Sequence, residues 1–271
     1  MKIMSYNVNG IRSRLDQLNA ILKHFQPDVI GLQEVKVHDD EFPVEAFADS
    51  GYHLNYFGQK GHYGVGIFSK QAPIAVQKGF PFADADDQRR MIAADFSLSD
   101  GRTLRVINGY YPQGEARDHP VKFPNKRKYY VDMLRYLKEE CDPSQPLAVI
   151  GDMNIAPVDG DIGIGPDNAK RWLRSGKASF LPEEREWLQT LFDWGLYDSW
   201  RIQNPDVTDR FSWFDYRSRG FDREPRRGLR IDLILVTKTL MDICSETGID
   251  YEFRGKPKPS DHCAIWADFN L

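Results

Sequence analysis

Six short polar signatures carry nearly all the chemistry this sequence offers, and each falls beside a strand-like apolar run: Ser5-Tyr6-Asn7-Val8-Asn9-Gly10, Leu32-Gln33-Glu34, Asn108-Gly109-Tyr110-Tyr111-Pro112, Gly151-Asp152-Met153-Asn154, Arg230-Ile231-Asp232 and Ser260-Asp261-His262. Strands tolerate Asn, Asp and Glu poorly, so carboxylates and amides placed where apolar runs start or stop read as strand ends converging on one rim. Glu34 closes the run that begins at Val29, and a hard divalent cation such as magnesium needs only one or two carboxylates of this kind. Asp152 and Asn154 follow the run Pro146 to Ile150; the acid can orient or deprotonate a water, and the neutral amide can bond water or phosphate. Asp261 offers a further oxygen beside the imidazole of His262. Asp232, lodged in Ile231-Asp232-Leu233-Ile234, is the natural group to hold that ring in one tautomer, since a carboxylate inside an apolar strand is costly without a partner. Tyr110 can donate its phenol to a phosphate oxygen or pack as a core aromatic, and Trp213 can pack or contact a base or sugar. Such a rim would hold a metal and cut a phosphate ester.

The elements that must position these groups are short. Strand-like runs recur at Lys2–Tyr6, Val29–Leu32, Val65–Ser69, Ile92–Phe96, Thr103–Gly109, Leu147–Ile150, Ile231–Val236 and Ala264–Phe269. Helical spacing joins Leu15, Leu18, Leu22 and Phe25, and again Met133, Leu134 and Leu137. Pro124 and Pro182 fit first-turn positions, and Gly195 a helix stop. The alternation is too uneven for an eight-fold barrel, and Asn55–Phe57 beside Val65–Ser69 implies a hairpin, so the pattern predicts a sheet sandwich flanked by helices. Gly160 to Pro166 matches neither a Rossmann fingerprint nor a Walker A loop and reads as a loop near the rim.

No linker divides the 271 residues, which are expected to form one domain spanning 1–271. Three cysteines without C-x-x-C spacing argue against a disulfide framework or structural zinc. The N-terminus turns polar too soon for a signal peptide and no apolar run is long enough for a bilayer, so a soluble cytoplasmic protein with no membrane partner is expected. The net charge of −4 does not advertise nucleic-acid binding. Basic residues nevertheless cluster at Lys122, Lys126, Arg127 and Lys128, at Lys170, Arg171, Arg174 and Lys177, and at Arg217, Arg219, Arg223, Arg226, Arg227 and Arg230. Each cluster reads equally as a solvated face or as a phosphate track.

Taken in order, the six signatures resemble the exonuclease III family of apurinic/apyrimidinic endonucleases, within the endonuclease/exonuclease/phosphatase superfamily. Longer stretches resemble its bacterial branch: Gln33 to Asp40, Gly58 to Val65, Arg171-Trp172-Leu173, Phe180 to Trp187 and Arg210 to Arg217. The resemblance implies a four-layered α/β sandwich of two packed mixed sheets flanked by helices. It implies magnesium, or manganese, held by Glu34 with Asn7 and Asn9 and with Asp261 nearby, and water attack on the phosphate 5′ to an abasic site in double-stranded DNA, accompanied by 3′ to 5′ exonuclease action and cleaning of blocked 3′ ends by a monomer. Asn154 and Tyr110 would contact the phosphate or the water, and Asp232 would orient His262. Either Asp152 or His262 could be the general base, and Asp152 is preferred. Trp213, Leu229 and Ile231 would wall a pocket for the flipped sugar, with Gln113, Lys122 and Arg217 on the DNA. The alternative within the superfamily is a phosphodiesterase for lipid or inositol phosphates, and outside it a DNA-binding protein without catalysis.

Overall fold

The structure, a computed structural model, describes residues 1–84 and 86–271. Two six-stranded mixed sheets pack face to face. The first has the order β11-β12-β1-β2-β4-β3, from β1 (Lys2–Asn7), β2 (Val29–Gln33), β3 (His53–Phe57), β4 (Val65–Ser69), β11 (Cys244–Ile249) and β12 (Ile265–Phe269). The second has the order β5-β6-β7-β8-β10-β9, from β5 (Ala75–Lys78), β6 (Met91–Ser97), β7 (Thr103–Tyr110), β8 (Leu147–Asp152), β9 (Leu196–Asp198) and β10 (Asp232–Thr237). The longer helices are α1 (Leu15–Phe25), α2 (Lys122–Glu140), α3 (Pro166–Ser175) and α4 (Pro182–Trp194), with short helices α5 (Ser199–Gln203), α6 (Lys238–Met241) and α7 (Tyr251–Arg254).

Strand alternation builds the layers. In β7, β8 and β10, Val106, Ala148, Ile150, Ile234 and Val236 face the other sheet and meet Ile3, Val29, Ile67 and Ile265. Their neighbours Ile107, Val149, Leu233 and Leu235 face outward and are covered by Tyr129, Met133 and Leu137 of α2 and Leu188 and Leu191 of α4. On the first sheet, Met4, Ile30 and Leu32 are covered by Leu18, Ile21 and Leu22 of α1. Strands apolar on both faces are what a sheet buried between two layers requires, each such side chain contributing about 1.5–3 kcal/mol. The result is the expected four-layered sandwich.

A buried polar bridge crosses between the sheets just below the rim. Asn108 of β7 donates to the carbonyls of Leu32 (2.9 Å) and Gly66 (2.8 Å), and Gln33 donates to Asn108 Oδ1 at 2.6 Å. Gly31 makes the approach possible, because a Cβ there would lie 2.7 Å from the Asn108 side chain. These bonds join the sheets at the level where Asn7, Glu34 and Asp152 leave their strands. Among the described residues, no helix is long and apolar enough to cross a membrane.

Candidate active site

The rim is built from the ends of strands in both sheets. β1 and β2 run parallel, with Asn7 opposite Gln33, so Asn7 and Glu34 emerge together. β7 and β8 are also parallel with Tyr110 opposite Asp152, and antiparallel β10 begins with Asp232 opposite Asp152. Register thus brings two signatures together on the first sheet and three on the second, and the packing of the two sheets joins the groups. His262 arrives from the other sheet's connection, where Ser260 Oγ donates to the Asn7 carbonyl (2.7 Å) and accepts the His262 N–H (3.2 Å).

Glu34, Asp152 and His262 bring ligand-type atoms within 4.8 Å of one another. Asn7 Nδ2 donates to Glu34 Oε1 (2.9 Å) and to Asp152 Oδ2 (3.0 Å), so one amide spans the two carboxylates. His262 Nδ1 lies 2.9 and 3.0 Å from the two Asp232 oxygens, and a carboxylate accepts, so Nδ1 carries the proton and Nε2 is turned toward Asp152 at 3.7 Å. Burial pushes the Asp152 carboxyl up; His262 opposes this, and Asp232 and Glu34 reinforce it. Burial would pull His262 down, but Asp232 and Asp152 overcome it and leave the ring well above its ordinary value. The Tyr110 phenol is raised by burial and by the negative charge of Glu34 and Asp152, so it stays protonated as a donor.

Asn154 adopts a left-handed conformation (φ 53°), its N–H donating to Asp152 Oδ1 (3.0 Å) and its amide to the Tyr111 carbonyl (2.9 Å). Asn9 Nδ2 donates to Asp261 Oδ1 (2.8 Å), and Trp213 Nε1 to Asp261 Oδ2 (3.1 Å). Asn9 and Asp261 thus stand beside the Glu34 cluster and connect it to the half-buried Trp213. Trp213 packs with Leu229 and Ile231, both buried, which places them beneath the indole as a floor. Gln113, Lys122 and Arg217 are exposed, Lys122 pairing with Glu115.

A family model for the endonuclease/exonuclease/phosphatase family matches residues 4–262. The chain belongs to this family. It is 55% identical over 269 residues to exodeoxyribonuclease III of Haemophilus influenzae, covering 99% of this chain and all of that protein. Two solved structures superpose over the full length of both chains with a TM-score of 0.90: a 3′ phosphatase from Neisseria bound to a product DNA hairpin (38% identity) and an AP endonuclease from Archaeoglobus fulgidus (33% identity). The fold and the enzyme class are therefore those of a nuclease of the exonuclease III branch.

Two members of the basic clusters are corrected by the structure. Lys126 is fully buried against Glu184, and Arg230 is 1% exposed against Asp161 and Asp198, so neither can reach a phosphate. Their carboxylate partners lie far away in sequence, which is why local reading took them for surface charge. Lys36 was not singled out, yet its ammonium stands 2.8 Å from Glu34. Alternating Glu34-Val35-Lys36, opposite charges two apart around an apolar residue, was the available signal. Arg90 was missed as well: it is nearly buried, its guanidinium lies over the Tyr110 ring at 4.7 Å, and it donates to the Tyr110 carbonyl at 3.0 Å.

Proposed function

We propose that this chain hydrolyses phosphodiester bonds of duplex DNA 5′ to abasic sites and clears blocked 3′ ends, with magnesium, or manganese, as its resident cation. The observation that carries the reading is the convergence of Glu34, Asp152 and the Asp232–His262 pair within one small polar cluster at the end of both sheets. The names of its relatives, an exodeoxyribonuclease, an AP endonuclease and a DNA-bound 3′ phosphatase, support DNA as substrate.

The residues suit a hard cation. Glu34 and Asp152 offer oxygens, Asn7 spans them, and Lys36 already balances part of their charge. Glu34 with Asn7 would hold the ion, Asn9 and Asp261 supporting that wall. When bound, the ion supplies positive charge that offsets the negative charge gathering on the phosphate oxygens.

The remaining work belongs to side chains. Asp152 accepts a proton from the attacking water, and Asn154, braced against it, fixes the water or a phosphate oxygen. Asp232 holds His262 as a cation with Nε2 toward the site, and a cationic ring stabilises charge on phosphorus better than it removes a proton. That division of roles favours Asp152 as the base. Tyr110 donates to a phosphate oxygen from a position braced by Arg90. Trp213, on its floor of Leu229 and Ile231, faces the sugar, while Gln113, Lys122 and Arg217 meet the backbone. Extrusion of a nucleotide costs least where the base is missing, which supplies selectivity. The test is competition: with magnesium, a duplex holding one abasic-site analogue should be nicked on its 5′ side in preference to intact duplex, and inositol polyphosphates should remain untouched. Turnover of the inositol phosphates in place of the duplex would refute the reading.

A further inference from the structure

We propose that Lys126 is a positioning residue for the reaction: a fully buried ammonium that locks the backbone of Asn154 and of the Gln113 loop in their working conformations. The inference rests on the role given to Asn154 above. Lys126 Nζ donates to the Asn154 carbonyl (2.8 Å), to the Gln113 carbonyl (3.2 Å) and to Glu184 Oε1 (2.6 Å), which uses all three hydrogens of an ammonium and leaves none for solvent or DNA.

The surroundings are built for this placement. Glu184 Oε2 accepts the N–H groups of Ser179 and Leu181, so the counter-ion is itself fixed at the start of α4. Gly114, with φ +87°, leaves the space through which the lysine stem passes, since a Cβ there would meet Lys126 Cδ at 2.9 Å. The two carbonyls Lys126 joins belong to the two segments that leave β7 and β8, those carrying Tyr110 and Asp152. Asn154 sits at φ 53°, a left-handed conformation that asparagine adopts more readily than most residues, and Lys126 bonds the carbonyl of that residue. A buried ammonium needs acceptors for all three hydrogens whatever its role, and here two of the three acceptors are carbonyls of the active-site segments. The bonds to both active-site segments point to a role in setting where Asn154 meets the phosphate.

The experiment compares Asn154→Ala, Lys126→Met, the neutral pair Lys126→Met/Glu184→Gln, and the neutral pair combined with Asn154→Ala. Each is assayed on duplex DNA holding one abasic-site analogue, with magnesium, at a temperature where circular dichroism shows it folded. The neutral pair removes the ammonium without stranding a buried carboxylate, so it decides the matter if Lys126→Met alone fails to fold. We expect it to lower kcat by about 30-fold with KM changed by less than about threefold, the signature of misplacement rather than lost binding. In the Asn154→Ala background the same change should cost less than about threefold, because there is no side chain left to position. A folded neutral pair with parental kcat, a loss carried by KM, or factors that multiply with Asn154→Ala would overturn the proposal. If Asn154→Ala itself keeps parental kcat, the role given to Asn154 fails first and takes the proposal with it; loss in Asn154→Ala with none in the neutral pair removes Lys126 alone.

Discussion

Two buried charge clusters flank the start of β10, two residues apart in sequence, and they are opposites. At Arg230, two carboxylates face two guanidiniums: Asp161 accepts from Arg230 (2.7 Å) and Arg201 (2.5 Å), and Asp198 accepts from Arg230 (2.6 Å). At Asp232, carboxylates outnumber cations among the described residues: Asp232, Asp152 and Glu34 meet His262 and Lys36. Both clusters contain a buried aspartate whose burial alone would raise its pKa. Asp161 is nevertheless held below its ordinary value by Arg230 and Arg201, whereas Asp152 is driven above it, with Asp232 and Glu34 adding to burial. Balanced burial serves the fold. Unbalanced burial at the strand ends is the feature on which the proposed cation and proton transfer rest.

The largest effect expected is at Asp152. Replacing it with Asn should lower abasic-site cleavage by about 10²- to 10⁴-fold, the usual worth of a positioned acid or base. The same variant, kept in excess chelator near pH 8, should be as stable as the parent or gain about 1 kcal/mol, because it removes a carboxylate whose ionisation the fold opposes. Denaturant titration in chelator would show this, and a clear loss of stability would break the contrast.

Asp161→Asn should do the reverse, sparing the chemistry but costing about 3–5 kcal/mol by stranding buried guanidinium charge. The pH dependence has a definite sign. A carboxylate depressed in the folded state contributes stability that is complete above about pH 4 and is lost as pH falls through the folded value. The variant should therefore show a shallower acid limb in its stability profile than the parent, and an unchanged limb would remove Asp161 from the account.

Asp232→Asn and His262→Ala are expected to act as one lesion, since an orienting carboxylate has little value once its ring is gone. Each alone should lower kcat by about 10²-fold or more, and the double variant by little beyond the worse of the two. Full multiplication of the two factors would show that the pair is not a unit.

Much of this was legible in the residues. The central strands were read to within one or two positions because β2, β4, β8 and β10 are buried along their whole length and largely apolar, and β2, β8 and β10 start or end at a polar signature. What escaped were edge strands whose sequences need no apolar face: β5 is mostly exposed, and β11 reads Cys-Ser-Glu-Thr-Gly-Ile with a register shift near Cys244. β9 is only three residues long. In the site, the strand-end carboxylates announced themselves, and the resemblance supplied Asn7 and Asn9. Buried Lys126 and Arg230 did not, because a lysine or arginine looks like surface until its partner, Glu184 or Asp161, is brought in by the fold.

Smaller effects sharpen the boundary between floor and wall. Trp213→Ala should lose less than the about 3–5 kcal/mol of a fully buried aromatic truncation, since its indole is only half-buried, while preference for abasic over intact duplex falls by about tenfold. Retained preference with a large loss of stability would make Trp213 part of the floor. Smallest of all, Arg217→Ala should reduce the slope of log affinity against log salt by about one without changing preference, as expected for one phosphate contact.

The central claim, that the unbalanced carboxylates at the rim exist to work with a divalent cation, is tested most directly by following cleavage of a duplex with a single abasic-site analogue during chelation and magnesium repletion. No cleavage is expected in excess chelator, with recovery on adding magnesium and a Glu34→Ala variant that needs more magnesium to reach a lower maximal rate. Undiminished cleavage after exhaustive chelation would contradict the claim.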